Sequence, residues 1–168
     1  MDRSAALADF ETARKEWESA FSLVPDGALG YLKPGDDYAL GGLQVHVNWV
    51  LLHYRRVLDG VIAGHFGQLG PQDAPGEGEA AGVRAKAGLG AGERARALNE
   101  MERLHAAVRA AVTRMSDGDW SRKAAVIYAE AQDPYPTSPE DIIGWLCDHY
   151  REHVQQSADL VDAWRAAG

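Results

Sequence analysis

Ser138-Pro139-Glu140-Asp141-Ile142-Ile143-Gly144-Trp145-Leu146-Cys147-Asp148-His149-Tyr150-Arg151-Glu152-His153 is the stretch from which the architecture can be read. It opens as a helix start should: Ser138 can cap free backbone N–H groups, Pro139 fits the first helical position, and Glu140 and Asp141 sit at the positive end of the helix dipole. On a wheel of about 100° per residue, Ile142, Trp145, Leu146, His149, His153, Gln156, Leu160 and Trp164 gather on one side. Asp148, Arg151, Gln155, Asp159 and Asp162 fall on the flanks or behind, and Cys147 faces away from the histidines. The spacing predicts a helix from 138 to about 165 that turns both histidines into a core.

Working backwards, Leu98, Met101, His105, Val108, Val112 and Met115 alternate at three and four residues, which predicts a helix over about 91–115 closed by Ser116-Asp117-Gly118-Asp119. Residues 120–135 read less clearly: 124–131 could be a short helix, and Asp133-Pro134-Tyr135-Pro136 is a turn or extended segment. Residues 66–92 shift to Gly, Pro, Ala and Glu, with Pro71, Pro75, Gly76 and Gly78 close together, and are expected to be a long, partly disordered connection.

Before it, Ala39, Leu43, His46, Val50, His53, Val57 and Val61 form the expected buried stripe of a helix that starts near Pro34-Gly35-Asp36-Asp37, capped by Asp36 or Asp37, and ends near residue 65. Leu7, Phe10, Trp17, Phe21 and Val24 mark a first helix over about 4–24, stopped by Pro25-Asp26-Gly27. With four helical periods and no convincing alternating strand, the expected class is all-α: a four-helix bundle in one domain, 1–168. At about 3.3 Å per residue, the 66–92 connection can cross back along a whole helix, which favours an up-down-down-up order.

Composition narrows the function. A chain of 168 residues, 46% hydrophobic, can bury a sizeable core without disulfides. A net charge of -8 with no run of Lys and Arg argues against nucleic acid as a partner. The single cysteine, Cys147, permits neither an intramolecular disulfide nor a Cys-x-x-Cys metal site and points to the reducing cytosol. The absence of an apolar run argues against a membrane span or signal peptide, so a cytoplasmic protein is expected. Its Trp and Tyr content and the commonness of dimers suggest a homodimer.

Histidines four residues apart stand one turn above each other, so the imidazoles of His149 and His153 can converge on one ion at about 2.0–2.1 Å each. The competing role is a polar cluster satisfied by Gln156, Ser157 or water. A third ligand must come from another helix, where His46 and His53 share a face about 10 Å apart, so that only one can join. For the one left out, and for His105, a hydrogen-bonded and partly buried role is the commoner one. His65 is expected at the surface.

Pro34-Gly35-Asp36-Asp37-Tyr38-Ala39-Leu40-Gly41-Gly42-Leu43-Gln44-Val45-His46, together with the Asp141 to His153 segment, resembles the DinB/YfiT-like superfamily, in which a His in the second helix joins a His-x-x-x-His in the last. The resemblance spans most of the chain and implies His46, His149 and His153 as ligands of a divalent metal, leaving His53 out. Where members often carry Trp, Ser and Glu ahead of the first ligand, this chain has Tyr38, Ala39 and Gly42. Members include bacillithiol and mycothiol S-transferases and the mycothiol-dependent maleylpyruvate isomerase. The resemblance therefore implies a low-molecular-weight thiol and a small electrophile as partners, in detoxification or stress response.

Three imidazoles leave an ion an open position, and coordination favours the reactive thiolate. The all-imidazole set suits zinc, nickel, copper or iron, zinc or nickel first among them. Gln156 and Glu152 are the candidates for orienting a ligand or handling a proton. A metal-dependent hydrolase and a non-enzymatic metal-binding module are the alternatives.

Overall fold

A computed structural model describes residues 2–168; Met1, included in the expected domain, lies outside the described residues. Four long helices make the frame: α1 Arg3–Ser22, α2 Gly42–Ala63, α4 Arg94–Thr113 and α6 Pro139–Ala167. Between them lie α3 Glu77–Ala87, the short α5 Asp117–Trp120, and a hairpin of β1 Ala124–Val126 and β2 Tyr135–Thr137. The expected all-helical bundle is thus present, with a minute antiparallel sheet attached.

The start of α6 is capped as expected: Asp141 N donates to Ser138 Oγ (3.2 Å) and Ser138 N to Asp141 Oδ2 (2.8 Å), a reciprocal pair that satisfies two otherwise free donors. α1 packs chiefly on α6, and α2 on α4. Asn48 Nδ2 donates to Ala97 O (2.9 Å) and Arg55 Nη1 to Ala107 O (2.8 Å), so α2 and α4 run in the same direction. Phe10 meets Tyr150 and Trp17 meets His153, so α1 and α6 also run together, while His46 against His149 and Tyr54 against Trp145 set α2 against α6. The core is built from Phe10, Trp17, Phe21, Leu43, Leu51, Leu58, Met101, Ile142 and Tyr150, all essentially inaccessible to solvent.

Four expectations change. α2 starts at Gly42 and not near Asp36 or Asp37, and no side chain caps it. Its N-terminal backbone is closed off by packing instead: a Cβ on Gly42 would lie 1.6 Å from Ala85 O, so only glycine lets the end of α3 press onto this turn. The residues 66–92 are not a bare connection, because α3 occupies the middle of them. Its buried residues are Ala81 and Ala85 alone, too small to produce a readable apolar stripe, and Glu77 anchors its start through Arg56 (2.7 Å) and Ala74 N (2.8 Å).

The residues 124–126, a candidate short helix in the sequence, form a strand, held on its other side by Leu69 N to Ala125 O (2.9 Å) and Ile127 N to Leu69 O (2.8 Å). Finally, the deepest face of α2 is Leu43, Val47, Leu51 and Leu58, and the stripe of His46, Val50 and His53 is only half-buried, rotated towards α6 and α3.

Candidate metal centre

What holds α2 in that rotation is a polar chain through the core. Trp17 Nε1 donates to Gln44 Oε1 (2.8 Å), Gln44 Nε2 to Asn48 Oδ1 (2.8 Å), and Asn48 Nδ2 to Ala97 O. Buried polar groups must find partners, so this relay from α1 through α2 to α4 fixes which face of α2 looks at α6. Sequence reading missed it; the signal available was Gln44 and Asn48 one turn apart within an apolar helix.

His46 is thereby aimed at the paired histidines of α6. His46 Nε2 lies 3.0 Å from His149 Nε2, which lies 3.1 Å from His153 Nε2, and the three nitrogens fall within 4.8 Å of one another. Tyr38 stacks on the His46 ring at 4.4 Å, so the segment ahead of α2 braces this imidazole from outside. Gln156 Oε1 accepts from His153 Nδ1 (2.7 Å), which commits the Nε2 of that ring, as a lone pair, to the centre.

Burial pushes the His46 imidazole down to about 4, with the neighbouring His153 adding to the effect. The same burial, reinforced by His153 and His46, lowers His149 to about 3. His153 is also lowered by burial, against the opposing pull of Gln156 and Glu152. At neutral pH all three rings are therefore neutral, and each can turn an unprotonated nitrogen towards a cation. Two nitrogens each about 2.0–2.1 Å from one ion at a tetrahedral angle stand about 3.4 Å apart. The donor set and its spacing therefore fit a divalent cation, and the group can hold one.

A cavity of about 530 Å³ opens beside the histidines, lined by His46, Trp49, His53, Tyr54, Asp73, Trp145, Asp148, His149 and Glu152 among others. Glu152, a candidate from the sequence, reaches its wall from an exposed position. His53 is not brought into the three-histidine group; its Nδ1 donates to Asp73 Oδ2 (2.5 Å), and Arg56 holds the other Asp73 oxygen (3.1 Å). Asp73 lies in the 66–92 segment, distant in sequence, and no local pattern could have announced the pair.

His105 is buried elsewhere, between α1 and α4, and His65 is exposed. Cys147 is buried on the α1 side, where burial and Asp9 push its thiol up to about 12, so it is no nucleophile for this cavity.

The family model of the DinB superfamily matches residues 4–157 of the chain. Among solved structures, the mycothiol-dependent maleylpyruvate isomerase superposes with a TM-score of 0.69 at 14% identity, covering 92% of this chain and 60% of that one. A histidine-to-alanine variant of that isomerase gives 0.69 at 12% identity, with the same coverage of 92% and 60%. The likeness is one of fold, and the chain spans about 60% of the length of those isomerase chains. Comparison with curated proteins by sequence gives no match.

Proposed function

The chain belongs to the DinB superfamily, and from that premise we propose that it is a metal-dependent transferase of a low-molecular-weight thiol, with His46, His149 and His153 as the metal ligands. The observation that carries the reading is the convergence of three neutral Nε2 atoms at the edge of a cavity of about 530 Å³. The thiol-dependent chemistry named for the similar isomerase structures supports the thiol as co-substrate.

His46, His149 and His153 would hold a divalent ion, zinc or nickel, whose Lewis acidity would favour the thiolate form of the thiol. The protein's own groups do the rest. Transfer forms one S–C bond, breaks the bond from that carbon to its leaving group, which departs with the electron pair, and releases the thiol proton. His53 is the acceptor for that proton: Asp73 takes its Nδ1–H, leaving Nε2 as the basic nitrogen in the same cavity and a carboxylate ready to balance an imidazolium. Gln156 keeps His153 in the required tautomer. The rings of Trp49, Tyr54 and Trp145 exclude water from one side of the cavity.

The test is elemental mass spectrometry of purified protein together with thiol consumption in the presence of mycothiol or bacillithiol and an electrophile. Near-stoichiometric metal lost in His46→Ala and His149→Ala, with turnover that follows the metal, is the expected result. In His53→Gln, metal is retained and turnover falls by about 10²–10⁴-fold, the usual worth of a positioned base. Wild-type protein that carries no metal and rebinds none ends this reading, and metal retained in His46→Ala transfers the ligand role to His53. The His53–Asp73 pair can serve water as well as a thiol, so hydrolysis is the second reading; thiol-independent turnover of esters or amides decides for it.

A further inference from the structure

Next to the histidine cavity, and sharing Tyr54 and Trp145 with it, is a second cleft of about 570 Å³ lined by Tyr54, Tyr128, Gln132, Asp133, Tyr135 and Trp145. Four of these six residues are aromatic, gathered from α2, the hairpin and α6. Their rings form a continuous arc: Tyr128 to Tyr54 at 6.4 Å and 70°, Tyr54 to Trp145 at 5.7 Å and 45°, Trp145 to Tyr135 at 6.1 Å and 49°. Each centroid separation lies in the range at which aromatic pairs attract, so the arc is a preformed wall and not a chance meeting of exposed rings.

The wall is predominantly aromatic, with its charged and amide groups confined to the hairpin turn. Tyr128 Oη is bonded to Thr137 Oγ1 (2.9 Å), and burial drives the Tyr128 and Tyr54 phenols upwards, so both stay uncharged. Gln132 and Asp133 are on the exposed turn of the hairpin. The hairpin anchors itself in the core through Ala124 and Val126 and is pinned by Leu69, and from that anchorage it carries Tyr128 and Tyr135 over α2 and α6.

We propose that this cleft is the acceptor subsite, and that it binds the ring of a small, uncharged aromatic electrophile whose reactive carbon extends past Tyr54 and Trp145 to the histidine cavity. The assignment rests on the transferase reading of the three-histidine cavity for the reactivity of the ligand, though not for its binding. The volume suits one such ring with its substituents, within the range of small-molecule sites. The exposed Tyr135 stands on the rim of the cleft, and Trp145 lines both this cleft and the histidine cavity.

Nitrobenzene, which has the ring and no leaving group, is the probe for binding, with nitrocyclohexane as its saturated match and tetramethylammonium as a cationic competitor, each titrated into full-length protein and followed by ¹H–¹⁵N NMR. Nitrobenzene is expected to shift the hairpin amides and the Trp145 indole in metal-free and metal-loaded protein alike, and to bind about threefold to tenfold more weakly in Tyr135→Ala and in Trp145→Leu. The loss in Tyr135→Ala is the safer arm because that side chain is on the surface. Equal binding of nitrocyclohexane, preferential binding of tetramethylammonium at these resonances, or no binding overturns the assignment. Nitrobenzene binding in a protein that consumes no thiol leaves the subsite standing and sinks the transferase; thiol consumption with acceptors that ignore both variants does the reverse.

Discussion

Two places in this bundle bury imidazoles, and they settle their hydrogen-bonding capacity in opposite ways. Between α1 and α4, His105 stacks on Phe10 at 3.9 Å, with Nε2 3.1 Å from Glu11 Oε2 and Nδ1 3.2 Å from Tyr150 Oη. A carboxylate can only accept, so Nε2–H donates to Glu11 and Nδ1 accepts from the phenol: both nitrogens are served by the protein. Between α2 and α6, three Nε2 atoms of neutral rings point at one another, and only His153 has its other nitrogen bonded to a side chain outside the group among the described residues. Burial lowers the proton affinity at both places, so a depressed histidine does not by itself mark a functional site. What sets the α2–α6 place apart is the convergence of three Nε2 atoms within 4.8 Å of one another.

The contrast can be broken most directly by removing one imidazole from each place. His149→Ala is expected to abolish metal retention, with an affinity loss beyond the tenfold to about a hundredfold typical of a merely orienting partner, whereas His105→Phe retains the metal in full. Elemental analysis after dialysis against a weak chelator reads both.

His105→Phe should instead change how stability depends on pH. His105 is pushed down to about 4 from its ordinary 6.5, first by burial, with Glu11 opposing and Arg14 and Arg109 adding to the fall. The unfolded chain therefore takes up this proton before the folded one does. The contribution of neutral His105 is complete above about pH 6.5 and is lost as pH falls towards 4, by up to about 3 kcal/mol. Urea unfolding of wild type and His105→Phe at pH 7 and pH 4.5 should show the gap between them narrowing as pH falls. A constant gap would mean that the ring acts only through its packing.

Gln156→Ala probes the hydrogen bond that ties the three-histidine group to a neighbouring side chain. With Nδ1 of His153 no longer held, metal affinity should fall by about tenfold to a hundredfold while the ion remains bound at saturating concentration. Competition with a chelator of known affinity measures it. An unchanged affinity would show that the packing of His153 under Trp17, at 6.1 Å, already fixes the ring.

The difference between the two places also explains what the sequence could reveal. The α6 pair was legible because Ile142, Leu146, His153 and Leu160 lie on one face of a strongly capped helix. His46 was one of two candidates on α2 by spacing, and the choice between them rested on family resemblance, since the selector, the Trp17–Gln44–Asn48 relay, is made of contacts 27 residues and more apart in its outer links. His105 was visible on an apolar seam, but Glu11, 94 residues away, was not. α3 stayed hidden because alanines on glycine-rich sequence carry almost no periodic signal. The hairpin stayed hidden because a three-residue strand is too short to alternate.

Both places depend on α6, which supplies His149 and His153 to one and Tyr150 to the other, so a change that weakens α6 without touching either is the finest test of their independence. Ser138→Ala removes the oxygen that accepts Asp141 N while leaving Asp141 able to accept from the backbone N–H of residue 138. Loss of such a cap costs about 1 kcal/mol. The missing bond lies near the first turn, whereas His149 begins about 16 Å further along the axis at 1.5 Å per residue. Denaturation midpoints should therefore drop by that small amount, with metal stoichiometry and the His105-dependent part of the pH profile unmoved. If metal retention fell together with the cap, the three nitrogens would be held by the overall stability of α6 and not by the local contacts of Gln156, Tyr38 and the Trp17 relay. The distinction between the two histidine clusters would then be one of position on a fraying helix.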